Sequence, residues 1–292
     1  MNAVILSGFF VGLIYGLLGV GLVVVYRGSR VVNFAYGETG MVGAFVFADL
    51  RFGSESTAFA RDHGLWVALP VGVVVAAALG ALTERLVVRP LRTAPRIRPL
   101  VGTFAVGSLF FIFATRRWGL NARFTAPLVR GDGIKLVGLR VQPQQLLVLA
   151  VSAFALTGLW ALYRFSAFGL RLRATALDPY AAGLVGVNVD QTSMVTWALA
   201  GALAGVSAIL IAPLVAFNVG FMATLSIRGL AAAVVGGLTN VGGAFGAGIL
   251  LGMMEAFIAF KSPISGITDV AIAGFILVLM LVRPSGLAPS AY

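Results

Sequence analysis

The sequence predicts an all-α, polytopic membrane protein with about eight transmembrane segments, some short or broken, and one small helix in a loop between them. Three observations carry this. Hydrophobic residues make up 60% of the 292 residues and charged residues only 11%, against roughly 25% charged in soluble domains. The mean hydropathy is +1.01. The apolar residues also fall in runs of membrane length, since a crossing needs roughly 20 of them.

The runs are read in order. Ala3–Tyr26 carries no charge and is the clearest helix. No basic residue precedes it and it exceeds a signal-peptide core, so it is expected to be a retained membrane helix. Thr39–Ala48 is too short alone and needs Asp49 or its flanks near an interface. Gly64–Thr83 is full length, Pro99–Thr115 slightly short, and Val141–Tyr163 clear. Gln191–Ile227 is uncharged over 37 residues, too long for one helix. Pro213 and Asn218 there predict a helix of about 193–212 and then an irregular or half-length piece. Gly229–Met254 is uncharged and Gly-dense, and Val270–Val282 is short and expected to begin before Asp269. No soluble domain is visible, so residues 1–292 are expected to form a single transmembrane domain.

The loop Arg164–Thr192 has 29 residues and writes its own helix. Asp178 is suited to cap an N-terminus by accepting backbone N–H bonds. Pro179 then takes the first helical position, where its missing N–H costs nothing. Gly186 suits the left-handed residue that ends a helix. The polar connection 116–140 holds six basic residues, and its Arg130-Gly-Asp-Gly133 predicts a tight hairpin turn. With the N-terminus outside and crossings alternating, 11 of the 21 basic residues fall inside and 10 outside, so charge alone does not orient the chain. The dense cluster Arg85, Arg89, Arg92, Arg96 and Arg98 shares a side with the 164–192 loop. That side is assigned to the cytoplasm.

Composition excludes several classes. With no cysteine and one histidine, His63, neither a thiolate site nor a histidine metal site can be built, and no metal or cofactor is expected. The net charge of +11 comes from arginines scattered through loops. It fits membrane orientation and anionic lipid head groups, not nucleic acid. The only lysines, Lys135 and Lys261, follow Ile134 and Phe260, so there is no phosphate-binding P-loop. No hydrolase, zinc-protease or dinucleotide motif occurs, and an enzyme is not expected.

The remaining candidates are membrane features. Gly8, Gly12 and Gly16, continued by Gly19, form a small-residue face; Gly201 with Gly205 and Gly248 with Gly252 repeat it. Such faces let helix backbones approach closely, as fixed packing or as a sliding surface. In Arg228–Gly248 a short helix is expected to end at Gly236-Gly237. Thr239 and Asn240 follow, and a second helix is expected after Gly242-Gly243. This is either a broken helix lining a substrate site or a tight turn. Glu255 shares a helix face with Gly248 and Gly252, either lining a path or paired with an Arg. Asn33-Phe-Ala-Tyr36-Gly37-Glu38 brings an amide, a phenol and a carboxylate together, as a polar turn or as a path or hinge element.

Taken together these stretches identify a resemblance. Ala174-x-Ala176-x-Asp178-x-x-Ala181-Ala182-x-x-x-Gly186-Val187 resembles the cytoplasmic coupling segment of branched-chain amino-acid ABC transporter permeases. Asn33–Glu38 resembles their N-F-A-H-G-[DE] motif, with Tyr36 in place of His. Arg228–Gly237 with the following Gly-rich run and Glu255 resembles their C-terminal signature, as does Val282-Arg-Pro-Ser-Gly286. The resemblance covers nearly the whole chain. It implies a multi-pass permease of the bacterial inner membrane in a binding-protein-dependent importer. Two ABC ATPase subunits that use the ATP, a second and homologous permease subunit, and a soluble substrate-binding protein are the implied partners. It gives the cytoplasmic coupling helix to Asp178, Pro179, Ala181, Ala182, Gly186 and Val187. Asn33, Tyr36, Gly37, Glu38, Gly236, Gly237, Asn240 and Glu255 are the candidates for the translocation path. The expected cargo is a branched-chain or other apolar amino acid. The alternatives are a permease of the same superfamily for urea, amides, sugars or another nutrient, and an ion-coupled secondary transporter.

Overall fold

Helices dominate because a backbone in lipid must satisfy its own N–H and C=O groups. The computed structural model describes residues 2–53, 64–95, 97–123, 125–129, 131–136, 139–262, 264 and 266–283. The helices are α1 (Asn2–Ser29), α2 (Tyr36–Phe52), α3 (Leu65–Thr83), α4 (Ile97–Trp118), α5 (Pro143–Phe165), α6 (Ala167–Leu177), α7 (Pro179–Leu184), α8 (Val189–Ile211), α9 (Phe221–Gly236), α10 (Val241–Lys261) and α11 (Ile267–Val282). Among the described residues six helical stretches are long and apolar enough to cross a membrane, and α9 and α11 are shorter apolar helices. The windows of α3, α4 and α5 are only 17–22% buried, which leaves their apolar side chains for lipid, whereas that of α1 is 89% buried.

Most boundaries follow the local signals. α8 ends in a 3-10 turn at Ala212–Leu214, where Pro213 stops the ladder. α2 extends past the expected Thr39–Ala48 at both ends and takes in Asp49. α11 begins before Asp269, as expected. Two expectations are corrected. The strands β1 (Ile134–Leu136) and β2 (Leu139–Val141) pair antiparallel with Ile134 opposite Val141. Gly131–Gly133 therefore leads into the first strand and is not the connecting turn; Arg130 lies outside the described residues. α10 starts at Val241 and not after Gly242-Gly243, because the Asn240 side chain caps it by accepting the Gly243 N–H at 2.9 Å.

The chain clusters into two compact units, one of Met1–Val23, Pro127–Ala155 and Leu225–Tyr292, the other of Val24–Ala126 and Leu156–Thr224. In the first, the glycine face of α1 packs on that of α10. A Cβ on Gly8 would lie 2.6 Å from the Ala256 Cβ, one on Gly12 2.7 Å from the Ile249 Cα, and one on Gly16 2.8 Å from the Phe245 carbonyl oxygen. Contacts rise along α1 as they fall along α10, so the helices are antiparallel. Ala231, Ala232, Leu251 and Ile272 form an apolar cluster from α9, α10 and α11.

The second unit is built on α2, α3 and α8. A Cβ on Gly201 would lie 2.4 Å from the Ala76 carbonyl oxygen, and one on Gly205 2.8 Å from the Ala76 Cβ. A Cβ on Gly40 would meet the Ala204 carbonyl oxygen at 2.6 Å. These helices touch backbone to backbone, which van der Waals packing in lipid favours. α4 lies along α2: the Thr103 hydroxyl accepts the Phe34 N–H at 3.2 Å, and at the other end the Trp118 indole donates to Asp49 at 2.8 Å. Phe45 stacks between Trp118 and Phe217, with ring centroids 4.9 and 4.2 Å away.

Candidate coupling surface and translocation elements

The loop between α5 and α8 is more structured than its sequence promised. Besides the expected short helix it contains α6, whose N-terminus is capped by Ser166 accepting the Gly169 N–H at 3.0 Å. Asp178 sits at the junction. Its backbone closes α6, and its carboxylate caps α7 by accepting the Tyr180 and Ala181 N–H groups at 2.8 and 3.1 Å. Pro179 takes the first turn of α7. The far end closes as a Schellman turn: Gly186 has φ +86, Val187 N–H donates to the Ala182 carbonyl at 3.0 Å, and Gly186 N–H to Gly183 at 3.1 Å. Ala182 is buried and Ala181 exposed. Leu177, Tyr180, Leu184 and Val185, large apolar side chains on and beside this doubly capped helix, are 72–79% exposed.

This segment is fastened to its surroundings. Arg30, in a left-handed conformation with φ 57, donates to the Ala176 carbonyl at 2.8 Å and so caps the end of α6. The Trp197 indole donates to the Ser29 hydroxyl at 3.2 Å. Asn188 caps α8 by accepting the Gln191 N–H at 2.9 Å. The end of α1, the start of α8 and the loop therefore share one side. The arginine-rich turn after α3 lies there too. Glu84, fully buried, pairs with Arg89 and Arg92 at 3.0 Å each. Arg92 also pairs with Asp190 in the first turn of α8. Arg96 lies outside the described residues.

Asn33–Glu38 forms the entry to α2. The Asn33 side chain accepts the Ala35 N–H at 2.9 Å, and Tyr36, Gly37 and Glu38 fall in the first turn. Asn33 and Tyr36 are 5% and 1% exposed, so this is not a solvated surface turn. The Tyr36 hydroxyl and Glu38 Oε2 are buried with no hydrogen-bond partner among the described residues. Gly107 of α4 faces Glu38; a Cβ there would be 3.3 Å from Oε2.

The turn between α9 and α10 is closed tightly. Gly237 has φ 92, Asn240 caps α10, and a Cβ on Gly236 would lie 2.2 Å from the Gly243 carbonyl carbon. The turn is tight but not at the surface: Gly236 and Gly237 are buried and Asn240 is half-buried. Glu255 is bound on both oxygens by Arg228, at 2.8 Å from Nε and from Nη2, and Arg228 also reaches Asp269 at 2.9 Å. Arg228 was not singled out from the sequence, although the signal was there. It is the one charge between two long uncharged runs, and such a charge requires a partner. The Glu84 cluster had no comparable signal, because its members lie up to 106 positions apart. Among the described residues no group of His, Cys, Asp and Glu could hold a metal.

Residues 4–281 match the family described as branched-chain amino acid transport system / permease component. The chain belongs to this family. It is 29% identical to the high-affinity branched-chain amino acid transport system permease protein BraD of Pseudomonas aeruginosa, over 97% of this chain and 94% of that one. It is 28% identical to the permease protein LivH of Escherichia coli K12, over 96% and 93%. Similarity also extends to the probable branched-chain amino acid transport permease protein LivH of Methanocaldococcus jannaschii, 30% over 84% and 76%. The chain is thus a multi-pass permease of the inner membrane and not an enzyme.

Proposed function

We propose that this chain is one permease subunit of an ABC importer that carries branched-chain or other apolar amino acids. Separate ATPase subunits drive it, a second permease subunit completes the path, and a soluble binding protein delivers the cargo. The observation that supports this best is α7. It is capped at both ends and outside the apolar spans, and it presents Tyr180, Leu184 and the neighbouring Leu177 and Val185 to solvent. An exposed apolar patch on a capped helix outside the apolar spans suits a protein-docking surface. With no P-loop of its own, the chain needs a motor that docks. The cargo class rests on the names of the relatives.

In this reading the ATPases close on ATP and move α7 through Asp178, Pro179, Ala181, Ala182, Gly186 and Val187. The path passes the start of α2, where Tyr36 and Glu38 offer a hydroxyl and a carboxylate oxygen not used within the fold. Neutral zwitterions suit a path with few full charges and polar helix ends. The deciding experiment replaces Asp178 and Gly186 together in the reconstituted complex. ATPase association and uptake of radiolabelled leucine should both fall. Wild-type values for both would refute the coupling role, and ligand binding to the partner receptor would identify the cargo.

A further inference from the structure

Position i+5 of a 3.6-residue helix points about 140° away from position i. Arg89 should therefore face away from Glu84. It does not, because Glu84–Val88 at the end of α3 is a π-turn, closed by an Arg89 N–H to Glu84 carbonyl bond of 2.7 Å. The wider turn swings Arg89 beneath the buried Glu84 carboxylate, and the next turn brings in Arg92. Both arginines then extend to α8. Arg92 pairs with the Asp190 carboxylate, and Arg89 donates to the Asp190 carbonyl at 3.3 Å. Two cations and two carboxylates thus join the end of α3 to the first turn of α8, six residues beyond the last residue of α7.

Beyond that point α3 and α8 are in backbone contact. A Cβ on Gly80 would lie 2.4 Å from the Trp197 carbonyl oxygen, one on Gly201 2.4 Å from that of Ala76, and one on Gly43 of α2 2.7 Å from that of Gly72. Packed interfaces of this kind shift between discrete arrangements and do not stretch. The glycine contacts stop at Gly80 and Trp197, short of the helix ends, and the ion cluster takes over there.

We infer that Glu84, Arg89, Arg92 and Asp190 are positioning residues. They form a clamp that passes movement of α7 to α3 together with α8, so that α2, α3 and α8 shift as one body. The inference rests on the coupling role proposed for α7. Without the clamp, the first turn of α8 can yield, and ATP is spent without moving the block.

The test uses the complete complex with its ATPases and binding protein in proteoliposomes, reading leucine uptake and ATP hydrolysis together. D190N should lower uptake per ATP by about five-fold or more, with assembly and thermal stability of the complex unchanged, and D190E should restore the ratio. The chain has no cysteine, so R92C with D190C gives a single pair. It should be uncoupled when reduced and recoupled when bridged by a disulfide formed with an added oxidant or by a short linker carrying two thiol-reactive groups. A wild-type ratio in D190N, loss of assembly in D190N, or a bridged pair that stays uncoupled would each overturn the clamp. ATP hydrolysis by the wild-type complex that never responds to loaded binding protein would instead sink the coupling role of α7.

Discussion

Among the described residues two ion clusters tie helices together, and they differ in stoichiometry and in the helices they join. The cluster of Glu84, Arg89, Arg92 and Asp190 balances two cations against two carboxylates, and three of its members are at least 30% exposed. The cluster of Arg228, Glu255 and Asp269 gives one cation to two carboxylates. It draws them from α9, α10 and α11, with the Arg228 guanidinium 5.9 Å from the centre of the Tyr15 ring. In the first, each arginine has a second partner, so one loss is partly absorbed. In the second, everything depends on Arg228. If the proposed clamp holds, the contrast separates a joint that transmits from one that holds: the first borders the loop that carries α7, and the second ties together the three apolar helices α9, α10 and α11.

The largest expected effect follows from that asymmetry. Arg228→Ala leaves the Glu255 carboxylate uncompensated and only 21% exposed, which costs on the order of 3–5 kcal/mol. Thermal unfolding of the purified subunit in detergent should show it as a large fall in Tm. A variant as stable as wild type would mean that the second cluster does not hold the fold. Glu84→Ala comes next, at about 3 kcal/mol, because Arg89 and Arg92 keep Asp190 and some solvent. If it unfolded the subunit more than Arg228→Ala does, the contrast between the two joints would be reversed. Asp178→Ala removes two N–H caps from α7, about 0.5–2 kcal/mol of local helix stability. Binding of purified ATPase, followed by light scattering or co-purification, should weaken while the subunit Tm stays put. Asp269→Asn should be smallest, under about 1 kcal/mol, since Asp269 is 66% exposed. A Tm drop matching that of Arg228→Ala would show that both carboxylates share the work.

The molecule also repeats one local grammar for two ends. Asp178 with Gly186 and Gly237 with Asn240 both combine a polar N-cap with a left-handed glycine. In the first case the result is an exposed handle, in the second a hairpin whose Gly236 is closed against Gly243. The caps are legible because they are set by neighbours in the chain. Whether a capped turn ends in solvent or against another helix is not.

The same division runs through the whole chain. Hydropathy and charge determined the membrane class and nearly every crossing, and the cap residues Asp178, Pro179 and Gly186 determined the helix at 178–186, since each depends on residues within one or two turns. The glycine faces were also readable, as a period of four. Which face meets which was decided only by the tertiary structure: Gly8, Gly12 and Gly16 against α10, and Gly201 and Gly205 against α3. The pairing of Arg228 with Glu255, the burial of Glu84 and the reach of Arg92 to Asp190 were decided there too. A buried charge must find a counter-charge, but the sequence does not say which; only folding brings positions 84 and 190 within a hydrogen bond of the same arginine.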